Sequence, residues 1–124
     1  MRKLLFVLFV LIGVLGLVNS LAAKEYVCYQ YAVVDYNTRT FIPVNPYKIN
    51  KLYISVENGK MQVTDGNNTV TMSKYKEEQN FYKVEFYSKI TSGNSDVVYL
   101  WTPETRILAK AYIKTKKSEI YGCE

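Results

Sequence analysis

From Tyr26 to the C-terminus, apolar and polar residues alternate with a period of two, and turn-forming residues interrupt the alternation about every eight to twelve positions. That pattern constrains the chain more than any other feature. It predicts an antiparallel all-β domain, because a strand sends successive side chains to opposite faces. No segment carries an apolar stripe at helical spacing.

The sharpest unit is a hairpin. Leu52, Ile54 and Val56 alternate with Lys51, Tyr53, Ser55 and Glu57. Asn58-Gly59 follows, the pair favoured in a two-residue type I′ turn because both positions need positive φ. The return strand offers Met61 and Val63. Such a turn sets Glu57 opposite Lys60, Val56 opposite Met61 and Ile54 opposite Val63, so turn chemistry and apolar pattern demand one register.

Downstream, Asp65-Gly66-Asn67-Asn68 is the next expected turn, and Thr69 to Tyr75 a short strand with Val70 and Met72 on one face. Residues 76–80, Lys-Glu-Glu-Gln-Asn, are expected as a polar connection. Phe81 to Ile90 is expected as a long strand with Tyr82, Val84, Phe86 and Ile90 inward and Lys83, Glu85, Tyr87 and Lys89 outward. Val97 to Trp101 is apolar on both faces, as a strand covered on both sides would be. Arg106 to Thr115 alternates with Ile107, Ala109, Ala111 and Ile113 on the expected inner side. The small Ala109 and Ala111 suit a crowded barrel interior. Residues 37–49 are irregular, and Pro43 and Pro46 argue against a central strand there. The count comes to about seven strands, a meander closed as a small barrel or folded as a sandwich.

Ahead of this domain lies a different kind of sequence. Met1-Arg2-Lys3 is a positive start, Leu4 to Val18 is a charge-free apolar run, and Asn19 to Ala23 supplies small residues. Residues 1–23 are expected to be a signal peptide, leaving 24–124 as a single domain of about 100 residues, room for one core. An uncleaved membrane anchor is the alternative. The apolar run is short for a span, and small residues follow it at once. No cysteine stands at the cleavage point, which argues against a bacterial lipid anchor.

Export changes how the two cysteines are read. Cys28 and Cys123 lie near the two ends of the domain, and a pair of cysteines in an exported chain is expected to form a disulfide. No CxxC spacing points to redox chemistry. Secretion or residence in the periplasm is the expected location.

The chain contains no histidine, which removes the commonest general base and metal ligand. No GxSxG or HExxH motif is present. Asp65-Gly66-Asn67 matches only a fragment of a calcium loop. No catalytic residue, metal ligand or cofactor is therefore assigned. The formal charge is +5, and without Arg2 and Lys3 it is +3, far below the basic stripe of a dedicated nucleic-acid binder.

All twelve tyrosines lie beyond the leader. Tyr53, Lys83, Tyr87, Lys89, Lys110 and Tyr112 fall at expected outward positions. Together they form a candidate binding face for a protein or an anionic surface outside the cytoplasm, since aromatic rings give contact area and lysines attract anions. The competing reading is that tyrosine and lysine simply suit the outer face of a sheet. The irregular stretch Thr38 to Asn50 is a second candidate, as a binding loop.

A cysteine near each end of a short exported β domain is a layout similar to that of bacterial periplasmic inhibitors of C-type lysozyme. Ser92-Gly93 is followed by Tyr99 only after five residues, so the SGxxY-type loop of those inhibitors is not matched and no residue role is carried over. The expected function is a non-enzymatic binding protein of unknown partner, with an inhibitor as one example of such a role. The alternatives are a carrier of a small apolar ligand inside a barrel, and a hydrolase using two carboxylates.

Overall fold

The computed structural model describes residues 23–44, 50–89 and 96–124. The leader expected at the N-terminus lies outside the described residues, apart from Ala23. Nine antiparallel strands run in order: β1 (Lys24–Asp35), β2 (Thr40–Pro43), β3 (Lys51–Glu57), β4 (Lys60–Asp65), β5 (Asn68–Gln79), β6 (Lys83–Ser88), β7 (Val97–Thr102), β8 (Ile107–Tyr112) and β9 (Lys117–Cys123). Each strand from β3 to β9 pairs with the next, and β1 pairs with both β3 and β9. Eight strands therefore close into a barrel, with β2 as an addition outside the ring. Of the two architectures open from sequence, the barrel is the one formed.

The hairpin has the expected register, with Ile54 opposite Val63, Val56 opposite Met61 and Glu57 opposite Lys60. Asn58 and Gly59 take φ of 48° and 74°, as a type I′ turn requires. At the next turn only Gly66 has positive φ, 63°, the pattern of a type II′ turn.

Closure occurs where β1 meets β9. Cys28 and Cys123 form the disulfide and stand directly opposite each other, Cα atoms 3.9 Å apart. Val27 and Glu124 exchange two backbone hydrogen bonds of 2.9 Å beside it. A register shift between Gln30 and Ala32 bends β1, so that its later half serves as a pairing edge for β2. The Val44 N–H donates to Tyr31 O at 2.9 Å. By the alternation of antiparallel ladders, the Pro43 nitrogen then faces the free edge, where a missing donor costs nothing. The stretch 37–49 thus holds a short edge strand.

Two further expectations are corrected. The polar run after Tyr75 is not a connection: β5 continues to Gln79, opposite Lys83. A register shift between Lys74 and Lys76 re-aims it, and Lys76 pairs with Glu78 at 2.8 Å on its exposed end. Beyond Thr115 the chain forms the last strand, β9. Above all, β6 and β8 present the opposite faces to the core. Glu85 and Tyr87 are buried inside, and Leu108 is fully buried opposite Trp101 and Tyr121. Val84 and Phe86 of β6, and Ala109 and Ala111 of β8, lie on the outer wall. The interior favours the reversed face because it gathers large rings, Tyr87, Tyr99, Trp101 and Tyr121, whose burial outweighs that of two alanines. The apolar character of β7 on both faces is then accounted for: Tyr99 and Trp101 point inward, and Val98 on the other face is also covered, 3% exposed.

Candidate functional site

Antiparallel order brings the start of β3, β5, β7 and β9 and the end of β4, β6 and β8 to one end of the barrel. The opposite end is plugged. There the Tyr26 and Trp101 rings lie 5.0 Å apart, and the Arg106 guanidinium sits 5.8 Å from the Tyr26 ring centre. Leu108, Ile54 and Met61 fill the space around them. The barrel is therefore a cup, packed at its floor and hollow at its mouth.

Two hollows open at the mouth, about 490 Å³ and 550 Å³, and they share Asp65 and Lys110. The first has an apolar wall of Val63, Val70, Met72 and Val97, with Tyr99 and Lys110 across from it and Asn68, Lys89 and Asp96 at the rim. The second is more polar and includes Gln30, Asn50, Tyr112, Glu119 and Tyr121.

Polar side chains inside the barrel are satisfied by one another. The Tyr87 hydroxyl donates to Glu85 Oε1 at 2.7 Å, and the Tyr121 hydroxyl donates to Glu119 Oε1 at 2.9 Å. Both are pairs two residues apart on one face, a Glu-x-Tyr unit on β6 and again on β9. Burial raises the pKa of each phenol, and the neighbouring carboxylate raises it further, so both remain donors. Asn50 Nδ2 donates to Gln30 Oε1 at 3.1 Å.

Lys110 is placed differently. Its Nζ lies 5.9 Å from the Tyr99 ring centre and 5.3 Å from that of Tyr112. Burial pulls its pKa down, but Tyr99, Tyr112 and Glu119 outweigh that and carry it net upward, so it is a cation at neutral pH. Among the described residues no carboxylate forms an ion pair with it.

A carboxylate pair does occur away from the mouth. Glu77 and Glu85 face each other across β5 and β6, and Lys74 Nζ joins them, 2.9 Å from Glu77 Oε1 and 3.7 Å from Glu85 Oε2. Lys83 Nζ lies 3.5 Å from Glu85 Oε2. The hydrogen bond from Lys74 lowers the Glu77 pKa. The arrangement is an ion-pair cluster, with both acids held by lysine. Glu104 sits apart from it, exposed on the β7–β8 turn. Among the described residues no group of three or more His, Cys, Asp or Glu could hold a metal ion.

The expected tyrosine and lysine face does not form as one surface. Tyr53 is on the outer wall of β3, 46% exposed. Lys83 is at the floor end of β6. Tyr87 is buried inside at 1% exposure. Lys89, Lys110 and Tyr112 do converge, but at the mouth rather than on the outside of a sheet. The reversal of β6 and β8 explains this redistribution. Sequence reasoning missed Tyr99, Gln30 and Glu119 and the apolar wall opposite them. The repeated Glu-x-Tyr spacing, which places a donor beside its acceptor on one strand face, was the available signal.

No protein-family model matches the chain, and neither a curated protein nor a solved structure matches it.

Proposed function

We propose that this domain is an exported, non-enzymatic binding protein that holds a small molecule in the mouth of its barrel. One observation carries the reading: the hollow of about 490 Å³ with a continuous apolar wall of Val63, Val70, Met72 and Val97. Its volume lies within the usual range of small-molecule sites, and barrel mouths are a common place for them. Tyr26 and Trp101 pack together at the floor, and the ring-free wall of Val63, Val70, Met72 and Val97 leaves this space in a chain that is otherwise short for a carrier. The disulfide fits an oxidising compartment, as export to the periplasm or cell exterior would supply.

Titration with the neutral apolar fluorophore N-phenyl-1-naphthylamine tests the reading. Saturable binding at one site is expected in the purified protein. Val70→Trp fills the hollow and should abolish binding while leaving the circular dichroism spectrum intact. Absence of saturable binding to the unaltered protein would overturn the proposal.

A further inference from the structure

Lys110 is the ammonium in the cup that has phenols, Tyr99 and Tyr112, as hydrogen-bonding neighbours but no carboxylate in ion-pair contact among the described residues. Lys74, Lys76, Lys83 and Lys114 each have a carboxylate within ion-pair distance. Lys110 has none among the described residues, although it projects into the barrel rather than into solvent. Its nearest acidic influence, Glu119, already accepts the Tyr121 hydroxyl. Partial burial of an ammonium without a counter-ion is unfavourable, and ring faces offset only part of that cost. The same residue lines both hollows, at the junction between the apolar wall and the polar side of the mouth. Lys89 stands at the rim with Asp65 and Asp96, and of these two carboxylates Asp96 is paired with Lys114 at 3.5 Å.

We infer that the ligand is an organic anion, seated with its acidic head on Lys110 and its apolar body against Val63, Val70, Met72 and Val97. This rests on the reading of the mouth as a small-molecule site. Tyr99 and Tyr112 flank the ammonium and restrict where it can point, so the head is positioned as well as attracted. A neutral molecule of the same shape would fill the apolar wall and leave Lys110 with its two phenols and no anion. Discrimination between the two should therefore be large.

The test compares dansylaminoundecanoic acid with its methyl ester. The acid should bind at least about ten-fold more tightly than the ester. Lys110→Met should remove that preference by weakening the acid alone, and Lys110→Arg should retain most of it. Equal affinities for acid and ester, or an unchanged preference in Lys110→Met, would overturn the assignment of the head while N-phenyl-1-naphthylamine binding still upheld the site. Should none of the three probes bind, both the head assignment and the site fall. If Lys110→Met fails to fold, the acid and ester comparison on the unaltered protein decides alone.

Discussion

The Tyr87 hydroxyl donates a 2.7 Å hydrogen bond to Oε1 of Glu85, two residues earlier on the same strand and the same buried face. The other oxygen of that carboxylate faces Lys74 and Lys83 at 3.7 and 3.5 Å. Each group makes the other's burial tolerable: the phenol gains an acceptor, and the carboxylate gains a donor in a region of low dielectric.

Tyr87→Phe should therefore destabilise the fold by about 1.5–3 kcal/mol, the usual range for a hydrogen bond to a charged group. The ring remains and no cavity forms, so the loss isolates the hydroxyl. Urea denaturation of the two proteins measures it. A change below about 0.5 kcal/mol would mean that the two lysines satisfy Glu85 unaided.

The disulfide joins the first strand of the barrel to the last, across a sequence separation of 95 residues. Its removal in a Cys28→Ala, Cys123→Ala double variant should cost about 2–5 kcal/mol. The paired backbone bonds between Val27 and Glu124 remain and should keep the closed topology under mild conditions. Denaturation of the oxidised protein with and without reductant gives the same comparison without mutation.

Alkaline pH should unfold the domain. Burial raises the pKa of Tyr87, Tyr99 and Tyr121 above the ordinary phenol value of 10.0. A folded pKa above the unfolded one contributes stability that is complete below the unfolded value and is lost as pH rises from there toward the folded value. Stability should thus fall steeply above about pH 10, and the phenolate absorbance of these three residues should appear in step with unfolding. In a pH-jump experiment, Tyr121→Phe should shrink the slow, unfolding-coupled part of that absorbance. An unchanged slow amplitude would show that Tyr121 ionises within the native barrel.

Three turns end on a basic residue with positive φ: Arg39 at 56°, Arg106 at 58° and Lys116 at 57°. The Lys116 N–H closes its turn onto Tyr112 O at 2.9 Å. The left-handed conformation costs an L-residue about 1–2 kcal/mol, whereas glycine adopts it freely at an entropic cost of about 0.5–1 kcal/mol. Lys116→Gly should therefore stabilise the protein by about 0.5–1 kcal/mol, read as a higher thermal midpoint. Thr115→Gly, one position earlier and without positive φ, should lower it.

The legible parts of the fold were those where two independent signals agreed. Asn58-Gly59 and the flanking alternation specified one hairpin register, and that register formed. Cys28 and Cys123 were paired by compartment logic and meet across a ladder that alternation alone could not have located. Where only alternation was available, it defined the period but not the side. In β6, Val84 and Phe86 compete with Glu85 and Tyr87 for the interior. The polar pair wins because its members satisfy each other and Tyr87 contributes a large ring. In β8 the same choice sets Ala109 and Ala111 against Leu108, Lys110 and Tyr112. The candidate site inherited both reversals, so half of its lysines and tyrosines reached the mouth by a route the sequence did not disclose. Strand β2 was hidden by its brevity and by Pro43, and the end of β5 by charges that pair along an exposed edge.

The contact between Tyr26 and Trp101 has a consequence for traffic through the barrel. With these tilted rings packing the floor, the two hollows described above lie at the other end. A molecule seated there, as proposed, would pass Asp65, Lys89 and Asp96 on entering, and the packed floor would set how deep it could sink.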